Sequence, residues 1–176
     1  MKLILLSGNS YTHKEWIEQV EDSLRDLFDS TYIQYYKHWE DKSPVIHLDH
    51  ELDVLKTAVD PKDPEYVVFA KSAGTLLALS AVNKGIFKPK RCIFVGLPVV
   101  WGRTNGFEVD SWIQDYSINT LFIQKTHDPA MFFSDLELYL QDKKVVNSSL
   151  VELPGDDHYY GDLALLKAKI AEFLNF

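Results

Sequence analysis

Ser72 lies in the run Ala70-Lys71-Ser72-Ala73-Gly74, between a short apolar segment, Tyr66 to Ala70, and a Leu/Ala-rich stretch that continues to Ser80. A β-branched and aromatic run that passes without a spacer into helical sequence reads as a buried strand turning directly into a helix. A serine at such a corner is held in a strained backbone conformation, which demands small neighbours; Ala70, Ala73 and Gly74 are small. The turn leaves the Ser72 hydroxyl exposed, and the first amides of the helix point at the same space, where negative charge on a bound oxygen is stabilised. The chemistry this suits is nucleophilic attack by a serine. A small-Ser-small run also arises where a helix packs closely on a sheet, and the pentapeptide alone leaves both readings open.

The elements around this corner alternate along the chain. Strands are expected at Lys2–Leu6, Ser30–Tyr36 (Tyr-rich, interrupted by Gln34, and suited to an edge), Arg91–Gly96, Asn119–Gln124 and Ser148–Leu153. Between them, Trp16, Val20, Leu24 and Leu27 follow a Thr12/Glu15 capping box. Asp49 reads as the N-cap of a helix carrying Leu52, Leu55 and Val59 and stopped by Pro61. The helix after Ser72 runs through Val82 to a left-handed cap at Gly85. Ser134 and Glu137 form a second capping box, and Leu163, Leu166, Ile170 and Phe173 give the closing helix its apolar face. Residues 37–48 read as irregular. Such alternation implies a parallel sheet covered by helices on both faces, with ligands gathering beyond the carboxyl ends of the strands.

Composition narrows the function. A chain of 176 residues, 46% hydrophobic, suits one domain spanning 1–176 with a sizeable core and no need of disulfides. Its single cysteine, Cys92, lies in an apolar run and reads as a buried structural thiol. A net charge of −8 with no basic cluster works against nucleic-acid binding. The apolar run at Met1–Leu6 is too short for a signal-peptide core, and no stretch approaches the roughly 20 residues of a membrane span, so the expectation is a soluble cytoplasmic protein with no membrane partner. The Gly-bearing loop Ser7–Ser10 matches neither a dinucleotide fingerprint nor a P-loop, and by itself reads as an ordinary turn between strand and helix. His47, Asp49, His50 and Glu51 match no zinc spacing; a helix cap and solvated first turn explain them, so no metal or cofactor is expected.

The Ser72 stretch resembles the nucleophile elbow of the α/β-hydrolase family, G-x-S-x-G, with Ala70 where the first glycine is usual. The resemblance extends over nearly the whole chain and implies a three-layer α/β/α sandwich with a six-stranded, mainly parallel sheet of order 2-1-3-4-5-6, a minimal version of the fold. It implies that Asp128, in Lys125-Thr126-His127-Asp128-Pro129, is the triad acid, and that His158, in Gly155-Asp156-Asp157-His158, is the base. His127 would then be aimed elsewhere. The backbone amides of Asn9 and Ala73 would form the oxyanion hole, and residues 97–118, with Trp101, Phe107 and Trp112, a short lid whose aromatics line a small acyl pocket. The implied activity is that of a carboxylesterase-like serine hydrolase acting on a small-molecule ester or thioester, faster as His158 loses its proton. Two other classes share the alternation: a non-catalytic binding or scaffold protein of the same fold, and a flavodoxin-like nucleotide-binding protein.

Overall fold

The computed structural model describes residues 1–60, 62, 63 and 65–176; the helix stop expected at Pro61 lies outside them. Six strands form one sheet: β1 (Lys2–Leu6), β2 (Ser30–Gln34), β3 (Tyr66–Lys71), β4 (Arg91–Val95), β5 (Thr120–Lys125) and β6 (Ser148–Leu153). Their order is β2-β1-β3-β4-β5-β6, the order the resemblance implies, and every pairing is parallel. Among the described residues eight α-helices connect or follow them: α1 (His13–Leu24), continued by a 3-10 turn at Arg25–Leu27, α2 (Lys37–Asp41), α3 (Leu48–Ala58), α4 (Ala73–Asn83), α5 (Val99–Thr104), α6 (Val109–Ile113), α7 (Phe133–Asp142) and α8 (Leu163–Leu174).

The side-chain period of 2 in a strand divides the core into two layers. Ile4, Leu6, Val68, Ala70, Phe94 and Phe122 pack against α3, α4, α6 and α7, while Leu3, Leu5, Val67, Phe69, Ile93 and Ile123 pack against α1 and α8. The same alternation puts Lys71 opposite Ala70, on the α1 side of the sheet. Buried on both faces, the inner strands β3 and β4 read as continuous apolar runs.

Local capping differs from expectation in three places. Thr12 has helical backbone angles and makes no capping hydrogen bond; the Ser10 hydroxyl accepts from its N–H instead. Asp49 lies inside the first turn of α3, with His47 at the cap position, and Ser134 lies inside α7, which starts at Phe133. Thr12 still occupies the cap position of α1, whereas α3 and α7 each begin two residues earlier than a cap at Asp49 or Ser134 would place them, taking in Leu48 and Phe133. Residues 37–48 are not wholly irregular, since they include α2, and residues 97–118 contain two short helices, α5 and α6. Gly85 takes the left-handed conformation expected of it, φ +67°.

Candidate active site

β3 ends at Lys71 and α4 begins at Ala73, so Ser72 must turn the chain by itself. It does so at φ 52°, ψ −122°, a region a side chain enters only under constraint. The constraints are visible: Ser72 N–H donates to the Val95 carbonyl at 2.9 Å, and its carbonyl accepts from Thr75 N (2.8 Å) and Thr75 Oγ1 (2.6 Å). Gly74 lets α4 lie against the end of β1, for a Cβ there would overlap the Leu6 carbonyl. Ala70 is fully buried between Leu6 and Phe94 in the register, with room for its methyl group. The Ala73 amide, at the first position of α4, has no carbonyl behind it within the helix.

Asp128 and His158 come together as the resemblance implies. The Asp128 carboxylate is wholly buried, and both its oxygens stand 2.8 Å from His158 Nδ1. Tyr160, a residue with no role assigned from the sequence, donates its hydroxyl to Asp128 Oδ2 at 2.6 Å and accepts from Lys125 N at 3.1 Å; Ala130 N donates to Asp128 Oδ1 at 2.8 Å. Burial acts to raise the Asp128 carboxyl, but the hydrogen bonds of His158, Tyr160 and Ala130 outweigh it and hold the group below the usual carboxylate range. The loop carrying His158 is tied down by Lys125, whose Nζ donates to Asp157 Oδ1 (2.9 Å) and Tyr159 O (2.6 Å). Gly96, at φ +64°, passes under the imidazole so closely that a Cβ would lie 2.7 Å from His158 Cε1. His127 is exposed and stands edge-on to Phe132.

Ser72, His158 and Asn9 line one cleft of about 920 Å³. Among the described residues the Ser72 hydroxyl makes no hydrogen bond; the imidazole bonds are those to Asp128. Ala73 is buried directly behind Ser72 and does not line the cleft. Asn9 does more than the sequence suggests. Its side chain donates to Pro44 O (2.8 Å) and accepts from Ile46 N (2.8 Å), and its carbonyl receives His38 Nε2 (2.7 Å) and Trp39 Nε1 (3.1 Å). These bonds fasten residues 38–46 to the loop after β1 and make them one wall of the cleft. Pro98 and Trp101 form the facing wall. Phe107 tilts against Trp101 and Trp112 against Phe107, and both pack into the core, as does Tyr116, so of the four aromatics in 97–118 only Trp101 reaches the cleft.

Beneath Ser72 lies a pair that sequence reasoning missed. Lys71 is fully buried, its Nζ 3.1 Å from His13 Nε2 and 5.7 Å from the centre of the Trp16 ring. Burial drives the lysine down to about 8, against the pull of the Asp128 and Asp157 carboxylates. His13 falls to about 4, through burial first, then the charges of Lys71 and His158. The signal available was the alternation itself, which turns the residue after Ala70 toward the start of α1. The four residues that resemble a metal cluster go separate ways: His47 Nε2 meets Asp41 Oδ2, Asp49 pairs with Lys84, His50 is exposed, and Glu51 is buried against Gln34 and the Lys37 amide.

No protein-family model matches the sequence, and no curated protein matches it. Solved structures do. Est1E from Butyrivibrio proteoclasticus, solved with ferulic acid bound, is similar over 99% of this chain and 88% of its own, with a TM-score of 0.74 at 17% identity. Alpha/beta hydrolase domain-containing protein 10 from mouse is similar over 99% and 89%, at 0.72 and 14% identity. A serine hydrolase involved in carbazole degradation, the CarC enzyme, is similar over 99% and 91%, at 0.70 and 12% identity. The chain has the α/β-hydrolase fold, in a six-stranded, all-parallel form.

Proposed function

We propose that the chain is a serine hydrolase cleaving an ester or thioester of a small molecule, by way of an acyl-enzyme on Ser72. The observation that carries this is the strained serine facing a cleft it shares with a histidine whose other ring nitrogen is bound to a buried carboxylate. Ser72 Oγ attacks the carbonyl while His158 Nε2 takes its proton, since an unassisted serine hydroxyl is a poor nucleophile. Asp128 keeps the imidazole in the tautomer with hydrogen on Nδ1 and stabilises the imidazolium. The amides of Ala73 and Asn9 receive the tetrahedral oxyanion, a contribution of about 3–4 kcal/mol for each donor. His158 then protonates the leaving alcohol, activates a water that attacks the acyl-enzyme, and returns the proton to Ser72.

The cleft volume lies near the top of the range for small-molecule sites, so a short acyl chain alone does not fill it. Residues 97–118 act as a partial cover, through Pro98 and Trp101. Among the described residues no helix is long and apolar enough to cross a membrane. One observation favours a non-catalytic binding protein of the same fold: the Ser72 hydroxyl is not hydrogen-bonded to His158. A serine-directed fluorophosphonate separates the two. Labelling of the wild type that is lost in Ser72→Ala and reduced about 10²-fold or more in Asp128→Asn supports the enzyme; a folded wild type that takes no label refutes it.

A further inference from the structure

We propose that the cleft selects a substrate whose apolar body carries an anionic group, a carboxylate in the simplest case, held by Lys42. The word substrate rests on the hydrolase reading; the anion rests on the charge of the cleft. Acidic residues outnumber basic ones in this chain, 26 to 18, yet none of them lines the cleft, whose ionisable side chains are Lys42, Tyr11 and three histidines. In an acidic molecule, that distribution concentrates positive potential where a ligand enters.

Lys42 is a free charge in this setting. Its acidic neighbours in sequence are turned to other work: Glu40 pairs with Lys37, while Asp41 accepts from Ser43 N at 2.9 Å and faces His47 Nε2 at 3.0 Å. Among the described residues Lys42 forms no ion pair of its own. Its backbone is left-handed, φ 61°, at the end of α2, a position glycine fills at least cost; the lysine stands there against that preference. Around it the walls are flat and apolar, Trp39 and Pro44 on its own side and Trp101 and Pro98 facing them. Lys71, which does not line the cleft, is buried against His13 and is offset by the Asp128 carboxylate behind His158, so Lys42 is the cation that meets a ligand. A carboxylate leaving water for such a cleft gains a charge-assisted hydrogen bond; an amide of the same shape does not.

The test uses two matched pairs on the intact chain. 4-Carboxyphenyl acetate and 4-carbamoylphenyl acetate place the charge, or its neutral isostere, on the alcohol; p-nitrophenyl hydrogen adipate and its primary amide place it on the acyl group. In at least one pair the wild type should favour the anion in kcat/KM by about tenfold, the size of one such contact, and the ratio should fall to about one in Lys42→Gln and shrink as salt is added. Amides turned over as well as the acids in both pairs, or a preference that survives Lys42→Gln, would overturn the proposal while leaving the hydrolase reading intact. Should no ester be cleaved, calorimetric titration with adipate and with 4-hydroxybenzoate, each against its amide, decides the point. Acid binding at least tenfold tighter and dependent on Lys42 supports the anion site although the hydrolase reading has failed; no preference for the acids sinks it.

Discussion

Tyr160 Oη and Asp128 Oδ2 stand 2.6 Å apart, so the carboxylate that orients His158 is itself held from behind. A buried carboxylate needs each of its oxygens satisfied, and the hydroxyl supplies what would otherwise be solvent. Tyr160→Phe should weaken folding by about 1–3 kcal/mol at pH 7. Because the Asp128 carboxyl sits below its ordinary value, its stabilisation is present above the unfolded-state value and lost as the pH falls through the folded one. The gap between wild type and Tyr160→Phe should therefore narrow toward pH 3. Urea unfolding at both pH values checks it; an equal gap at each would mean that the hydroxyl acts on packing and not on the charge.

Lys71 is predicted to cost stability. Its ammonium is lowered from 10.5 to about 8, so between those values the unfolded chain binds a proton that the folded chain does not, and stability rises with pH across that window. Below pH 8 the full cost, about 3 kcal/mol, is in force. Lys71→Met should be more stable than wild type at pH 7, with the difference shrinking between pH 8 and 10.5. A Met variant that is less stable at pH 7 would show that the contacts with His13 and Trp16 outweigh desolvation.

Backbone strain at Ser72 has its own signature. Ser72→Ala keeps a Cβ at φ 52°, whereas Ser72→Gly removes it, so the glycine variant should unfold at a higher temperature than the alanine variant by about 1 kcal/mol. Calorimetry of the two variants is the comparison. Identical melting temperatures would place the strain elsewhere.

Gly96 and Gly106 both have positive φ, +64° and +78°, but only Gly96 has neighbours, His158 Cε1 and Tyr160 Cε2, in the way of a Cβ. Alanine at either position carries the same backbone cost of about 1 kcal/mol. Gly96→Ala should in addition push His158 out of line and lower kcat/KM on an ester by about 10²-fold, with Gly106→Ala unaffected. Equal activities in the two variants would argue that His158 has freedom to move.

The six strands were legible as apolar runs, while their order and the pairing of Asp128 with His158 followed from the resemblance to α/β-hydrolases carried by the Ser72 turn and the polar residues placed just beyond later strands. The capping signal at Thr12 marked the start of α1 although its side chain makes no capping bond, whereas the one at Ser134 misplaced the start of α7, because a cap contributes about 1 kcal/mol, less than docking an apolar residue such as Phe133. Lys71 and His13 lie 58 residues apart and meet across a strand and a helix, so neither position marks the other in the sequence. The wall at residues 38–46 was hidden for a similar reason. Its shape is set by Asn9, whose hydrogen bonds reach 29 to 37 residues along the chain to backbone atoms and indole or imidazole nitrogens.

The parallel ladder also sets an order of events. Ser72 leaves the sheet at β3 and Asp128 at β5, but His158 follows β6, which has only β5 as a neighbour. During synthesis from the N-terminus, the strained serine turn can be complete while the chain still lacks the imidazole that shares its cleft, and through that interval the far side of β5 is an unpaired, adhesive border. Adding the last strand pairs that side of β5, moves the border outward to β6 and delivers the imidazole in one step.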